Sequence, residues 1–409
     1  MGGVNWKRNL AVVWLSQFLG MGGFACAMPF IPLLLRDNFG ITDDSVRGAY
    51  VSAYYFCGTL SFTIATMFWG MMADRFGYKI MLLRASYAAA FFFPCLAYAP
   101  SVGWLLAIRV VTSFFSGTFN AAQTLLVCTT PPDKHGFALG SLSTALWSGN
   151  MAGFLAGGLI VHYFGYTAAF VTCGSLYFIG GLLVHLFVRD DFHGRPVVPK
   201  TRSETVRRPP GILSLPALLL LGLFLLLGVA RRIEEPFLAM MVEIVHGRSK
   251  AAFFTGVVSA AAALGGLLSG VSIGYLSDRI APRRLLFPLL FFSAAATFMQ
   301  AVAPNVAVLA IMRFLTYFAA GGLVPVMQVM LARNTDPAHR GTFFGLATSF
   351  NNIGGVVCTF ISGAIAYFFN VRGILLTAAG FYLLMVPYSA LIFRRKRGGR
   401  ARLRGELKA

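Results

Sequence analysis

The sequence predicts an all-α membrane protein, with twelve transmembrane helices arranged as two pseudo-symmetric six-helix halves. Three observations carry that prediction. Hydrophobic residues make up 57% of the chain and charged residues 12%, against about 25% charge in soluble domains, and mean hydropathy is +0.72. The chain holds about twelve apolar runs, each near the roughly 20 residues that a helix needs to cross a hydrocarbon core ~30 Å thick. A charged segment bounded by glycine then occurs twice, about half a chain length apart.

In order, the predicted spans are 10–35, 48–69, 80–98, 103–129, 136–164 and 167–188, followed by 213–244, 251–276, 285–302, 306–332, 341–369 and 373–393. Backbone amides in lipid need partners within their own segment, so helices are expected. The ~10-residue alternating pieces of a membrane β-barrel are not seen. Residues 1–188 form the first half and 213–393 the second. Between them, 189–212 is the longest polar stretch, with Pro196, Pro199, Pro209 and Pro210, and it reads as a cytoplasmic linker. Residues 394–409 are a basic cytoplasmic tail suited to lipid headgroups. The run from Leu10 to Leu35 is too long for a signal-peptide core and is kept as the first span.

A net charge of +20 raises the question of nucleic acid, and the positions of the basic residues answer it. With the N-terminus taken as cytoplasmic, 25 of the 34 Lys and Arg fall in cytoplasmic loops or the tail, 5 outside and 4 within spans. Bias of this kind is what membrane insertion imposes. It predicts a multi-pass protein of the cell (inner) membrane with both termini cytoplasmic, and no nucleic-acid partner. The six cysteines lie in apolar segments without a C-x-x-C pair, so neither disulfides nor a metal site is expected. No cofactor is expected either.

The duplicated segment is Gly70-Met-Met-Ala-Asp74-Arg75-Phe-Gly77-Tyr-Lys79, read as a charged turn between two spans. Its second copy, at a shift of 204, keeps Gly274, Asp278, Arg279 and Arg283 but has Ala281 in place of a glycine. The repeat extends further: Arg109 maps to Arg313 and Gly117 to Gly321, and one residue later Pro132, Gly136, Gly140, Gly149 and Gly158 map to Pro337, Gly341, Gly345, Gly354 and Gly363. Parallel six-helix repeats around a midplane site are a known transporter plan.

On these residues the chain resembles the major facilitator superfamily, whose hinge motif G-x-x-x-D-R-x-G-x-K/R is met at Gly70, Asp74, Arg75, Gly77 and Lys79. Within it, the chain is similar to the twelve-helix drug:proton antiporters. Their span-five glycine array is matched at Gly140, Gly149, Gly153, Gly157 and Gly158, with Phe154 in place of the expected proline. Gly149, Gly153 and Gly157 share one helix face and allow close helix approach. Span eight offers Ala262, Gly266, Gly270 and Gly274 as a matching stripe. The resemblance implies that this contact seals and pivots the halves. It also implies that the two hinge copies act as cytoplasmic latches, with Asp74 and Asp278 facing helix N-termini and Arg75 and Arg279 bound to acids. A third family motif is half met, by Leu105 and Arg109 but not at Thr112 and Ser113. The resemblance links Arg109 to proton coupling.

An ionised side chain at the centre of a span costs about 2.5–3.5 kcal/mol on the insertion scale, so each intramembrane charge asks for a reason. Of the 14 acidic residues only Glu234 and Glu235 fall well inside a span, and Glu243 sits near a helix end. They belong to Arg231-Arg232-Ile-Glu234-Glu235-Pro236, where i,i+3 spacing pairs 231 with 234 and 232 with 235. Pro236 removes a backbone donor and predicts a kink lining a cavity. Glu234 and Glu235 are thus the expected proton-coupling carboxyls at an outer gate or pocket wall, unless the run is a self-neutralised ion pair. Arg231, Arg232, Arg313, Asn120, Gln123 and Gln328 are the expected substrate contacts.

The expected function is proton-coupled export of small amphiphilic molecules by alternating access, with protons and the bilayer as partners and a monomer as the working unit. The arginine excess in the cavity favours anionic or zwitterionic cargo. Export of a single endogenous amphiphile, uptake by symport, and a non-transporting sensor on the same scaffold remain open alternatives. No H-E-x-x-H motif supports an enzyme, and the one G-x-S-x-G match, Gly270 to Gly274, lies inside an apolar span rather than at a strand-to-helix turn.

Overall fold

The computed structural model describes residues 5–131, 134–190, 215–332, 335 and 340–406, without the side chains of 74, 215–217, 278, 340–342 and 393–406. Every regular element among them is helical. The linker from 191 on, Pro132, Pro337 and the side chains of Asp74 and Asp278 therefore lie outside the described residues.

The first half contains α1 (Trp6–Ala27), α2 (Ile31–Asp37), α3 (Asp44–Phe76), α4 (Tyr78–Ala97), α5 (Val102–Phe114), α6 (Thr118–Thr129) and α7 (His135–Phe187). The second contains α8 (Leu215–Arg232), α9 (Leu238–His246), α10 (Ala251–Arg279), α11 (Pro282–Ala301), α12 (Val306–Ala332) and α13 (Arg340–Glu406). Nine helical stretches among the described residues are long and apolar enough to cross a membrane. At 1.5 Å per residue the 53 residues of α7 would measure about 80 Å, more than twice a hydrocarbon core. The helix does not run straight, because Gly165 (φ 80°, ψ 178°) breaks it. Asn370 (φ 57°, ψ −175°) breaks α13 in the same way, at the repeat shift of 205. These turns fall between the predicted spans 5 and 6 and spans 11 and 12.

The surface is inverted relative to a soluble protein. Phe91, Ile64, Phe164, Phe291, Phe360 and Phe368 stand exposed on the periphery, whereas Gln17, Gln300, Thr297, Ser269 and Arg313 are buried inside. An apolar coat of this extent requires an apolar solvent.

Prolines divide two of the predicted spans. Predicted span 1 is α1, a 3-10 turn over Met28–Phe30, then α2, and predicted span 7 is α8, a 3-10 turn over Glu235–Phe237, then α9. Pro29 and Pro236 occupy the second position of each turn, so the kink expected at Pro236 is present and has a counterpart in the first half. Predicted span 4 is also divided, by Gly117 at φ 112°, whereas its counterpart Gly321 lies within the unbroken α12.

The duplicated segment requires a correction. Residues 70–76 continue α3 as helix, and only Gly77 (φ 92°, ψ 155°) turns the chain, in a region essentially restricted to glycine. The second copy turns differently. Ala281 has φ −57° and ψ 130°, and Pro282 starts α11 at a position where a missing N–H costs nothing, so no glycine is needed.

The turns near 77 and 281 mark one end of the molecule, called here the hinge end. Two long helix pairs carry most of the contact between the halves, α7 with α10 and α3 with α13, and the short α2 also meets α9. At the far end both pairs pack tightly. A Cβ at Gly158 would lie 3.1 Å from the Ala252 carbonyl oxygen and 3.1 Å from Gly256 Cα, Ser52 Oγ lies 3.2 Å from Ser362 Oγ, and the Phe56 and Phe360 rings are 5.6 Å apart. Continuing the antiparallel register from Gly158 and Gly256 through Trp147 and Gly266 brings Gly140 opposite Gly274. The other pair likewise brings Gly70 opposite Gly345. None of these four glycines has a described neighbour within 4 Å of a Cβ. Both pairs therefore close at the far end and splay at the hinge end.

Candidate functional site: a cavity between the halves

A cavity of about 410 Å³ lies between the halves, within the range of small-molecule sites. The first half contributes Phe24 and Met28 from the first broken span, Tyr55 from α3 and Trp147 from α7. From the second come Arg231, Arg232 and Glu235 beside the Pro236 break, with Arg313 and Tyr317 from α12. The wall is thus aromatic and thioether surface with charge concentrated on one side.

The charged run does not pair as its spacing predicts. Glu234 is 2% exposed and approaches Arg313, with Nη1 2.7 Å from Oε1, rather than Arg231. The reason is local: α8 ends at Arg232 and the 3-10 turn follows, so the i,i+3 helical register is lost across 231–235. Arg232 instead donates to Asn352 Oδ1 at 3.4 Å. Glu235 is exposed and faces the cavity. The two neighbouring carboxyls thus occupy different environments, one buried against an arginine and the other on the cavity wall.

Arg313 is the centre of a polar network. It donates to Gln300 Oε1 at 3.3 Å and to the Tyr317 hydroxyl at 3.4 Å, and Gln300 donates to Thr316 Oγ1 at 2.7 Å. The Glu234 contact is one of charge, since neither of its oxygens accepts an aligned hydrogen bond among the described residues. A void of about 10 Å³ beside the pair, lined by Glu234, Gln300 and Arg313, is close to the least that one water occupies.

Arg109 occupies the corresponding position in the first half but meets no acid among the described residues. It lies 4.9 Å from the Tyr54 ring centroid, and its Nη1 is 3.6 Å from Met28 Sδ. It is buried and does not line the cavity. Asn120, Gln123 and Gln328 are also absent from the lining. Following the arginines down α6 and α12 takes them toward the hinge end, so the structure does not group them with the cavity.

A family model described as Major Facilitator Superfamily matches residues 13–303 and 236–408. The chain belongs to that superfamily. It is 33% identical over 400 residues to the multidrug resistance protein MdtG of Salmonella heidelberg (strain SL476), covering 96% of this chain and 97% of the relative, and 33% identical over 398 residues to MdtG of Salmonella arizonae, with the same coverage. Among solved structures it is similar to a bacterial homologue of the human lysosomal transporter Spinster, inward-facing and unoccupied (TM-score 0.76, 15% identity, 95% and 97% of the two chains). It is also similar to an auto-inhibited POT family peptide transporter (TM-score 0.73, 13% identity, 95% and 97%). As a member of this superfamily the chain is a multi-pass membrane transporter rather than an enzyme.

The superfamily motifs can be placed on this geometry. Gly149, Gly153 and Gly157 do serve close packing, but against α1 of their own half. A Cβ at Gly153 would collide with the Gly22 carbonyl oxygen, and one at Gly157 with that of Cys26. Only Gly158 meets the second half, and it does so at Ala252 and Gly256 rather than along the stripe from Ala262 to Gly274. At the hinge, Arg75 lies over the Phe76 ring and Arg279 over Tyr275, at 5.5 and 4.1 Å, instead of on a described carboxylate. Lys79 ties its turn to the end of α7, with Nζ donating to the Val188 and His185 carbonyls at 2.6 and 3.1 Å.

Sequence reasoning could not pick out which residues form the aromatic and thioether wall, because Met28, Tyr55, Trp147 and Tyr317 look like any other apolar positions. It also passed over a legible signal. Met28-Pro29-Phe30 and Glu235-Pro236-Phe237 form an x-Pro-Phe repeat at a shift of 207, and both lead residues reach the cavity.

Proposed function

We propose that the chain is a proton-coupled exporter of small amphiphilic compounds, working by alternating access as a monomer of twelve spans in the inner membrane with both termini cytoplasmic. One observation carries this reading. A cavity walled by both halves has a solvent-facing carboxyl, Glu235, beside a buried one, Glu234, whose counter-ion Arg313 also faces the cavity. Protonation of Glu234 would release Arg313 toward Glu235 on the cavity wall, displacing the cationic end of a bound cargo, whereas cargo seated on Glu235 would leave Arg313 to the ionised Glu234. Proton and substrate thereby bias opposite states. Three arginines against one cavity-facing glutamate favour anionic or zwitterionic cargo.

The multidrug resistance relatives support export of varied compounds, and the methionine and aromatic wall suits cargo of varied shape. In this reading 1–188 and 213–393 rock against each other about the linker 189–212. The segments 70–79 and 274–283, through Gly70, Asp74, Arg75, Gly77, Lys79, Gly274, Asp278, Arg279 and Arg283, latch the cytoplasmic side in the opposite state. Arg109, with no acid beside it among the described residues, has a supporting rather than a proton-carrying part.

The test is flux in liposomes under an imposed pH gradient, with cationic, zwitterionic and anionic amphiphiles. Glu234→Gln is expected to abolish gradient-driven flux while retaining downhill exchange, and Glu235→Gln to weaken binding of substrate. Gradient-driven flux unchanged in both variants and in their combination would remove the proton-site assignment.

A further inference from the structure

The far end of the molecule carries a charged cluster that the cavity chemistry does not use. Glu243, on α9 of the second half, has a side chain only 7% exposed and grips two arginines of the first half, Arg36 on α2 and Arg47 on α3. One carboxylate oxygen meets each, with Arg47 Nη1 at 2.7 Å. Both arginines have other partners within their own half. Arg36 donates to Asp37 at 2.6 and 3.0 Å, Arg47 donates to Asp44 at 2.6 Å, and the Tyr166 hydroxyl donates to Asp37 at 2.5 Å. If the halves parted here, each arginine would keep a carboxylate. Glu243 would lose both of its cations.

We propose that Glu243 is the fastening that holds the far end shut, a positioning residue for the transport cycle. The inference rests on the alternating-access reading. Below it on α9, Met240, Met241 and Val242 are buried in one apolar cluster with Leu34, Leu35 and Val51 of the first half, and Leu238 reaches the cavity. The seal is therefore an apolar plug capped by an ion cluster. Such a cap is reversible: a carboxylate deprived of its arginines in a dry interface is strongly disfavoured, but parting of the halves admits the water that hydrates it. The asymmetry of partners places control of the closed state on one side chain.

The test is the distance between nitroxides in the full chain in nanodiscs, with the native cysteines replaced. One pair spans the far end (Asn38→Cys with Ser249→Cys) and one the hinge end (Phe76→Cys with Arg284→Cys). Glu243→Gln is expected to raise the far-end-open population about tenfold and to shorten the hinge-end distance, whereas Glu243→Asp stays closed. Arg47→Gln, which removes one of the two grips, gives a smaller shift and carries the test if Glu243→Gln does not fold. Far-end distances unchanged in Glu243→Gln, or in Arg47→Gln in its place, overturn the latch whether or not the wild-type pairs exchange when the pH is changed. Wild-type pairs that never exchange, beside a far end that opens in Glu243→Gln, uphold the latch and remove alternating access instead.

Discussion

Glu234 and Glu235 are adjacent in sequence and differ in almost every physical respect. The break at Pro236 turns one into the protein and the other into the cavity, so one residue of chain separates a buried charge from a hydrated one. Removing one partner of a buried pair leaves the other uncompensated, which typically costs about 3–5 kcal/mol, whereas replacing both by apolar or neutral groups of similar size is often tolerated. Arg313→Met should therefore lower thermal stability in detergent markedly. The Arg313→Met, Glu234→Gln double variant should recover most of that loss, and a melting curve of each variant checks both. An additive double variant would mean that the two side chains do not form an energetic pair.

At the scale of elements, the glycines of α7 separate into two populations that sequence spacing alone treats alike. Gly153 has no room for a methyl group, because the Gly22 backbone occupies the space, whereas Gly140 faces open space. Gly153→Ala is expected to destabilise by about 1–3 kcal/mol through overpacking. Gly140→Ala should stay near neutral in the same melting assay, since the surroundings can accept it. The helices themselves were legible. Apolar runs set the spans, and Gly165 and Asn370 fall in the short gaps predicted between spans. The divided helices were less so, because a single proline is compatible with a kinked or a broken span. Packing partners were not legible at all: a stripe of glycines states that something comes close, not which helix does. The far-end cluster was hidden for a related reason, since Arg36 and Arg47 read as loop charges and Glu243 as a helix end until tertiary structure brings them together.

At the scale of the molecule, the two interhalf helix pairs behave as scissor blades, closed beyond the cavity and spread toward the hinge end. This geometry predicts reactivity. Cysteines introduced at Gly140 and Gly274 should react readily with a water-soluble maleimide added from the hinge side, whereas one introduced at Ser362, buried against Ser52, should not. Conditions that drive the exchange of states should reverse the order, which mass spectrometry of the labelled protein would read. Equal protection of all three sites would contradict the splayed arrangement.

The two hinge copies have come to depend on different covalent chemistry. The first turns at one residue whose backbone geometry only glycine occupies comfortably, and the second at an ordinary extended residue backed by a proline ring. Inherited change is therefore tolerated unequally: almost any side chain at 77 strains the backbone, while position 281 accepts many. Two halves that share one repeat thus face different constraints at the same point of it, and the second copy is the freer to be remodelled.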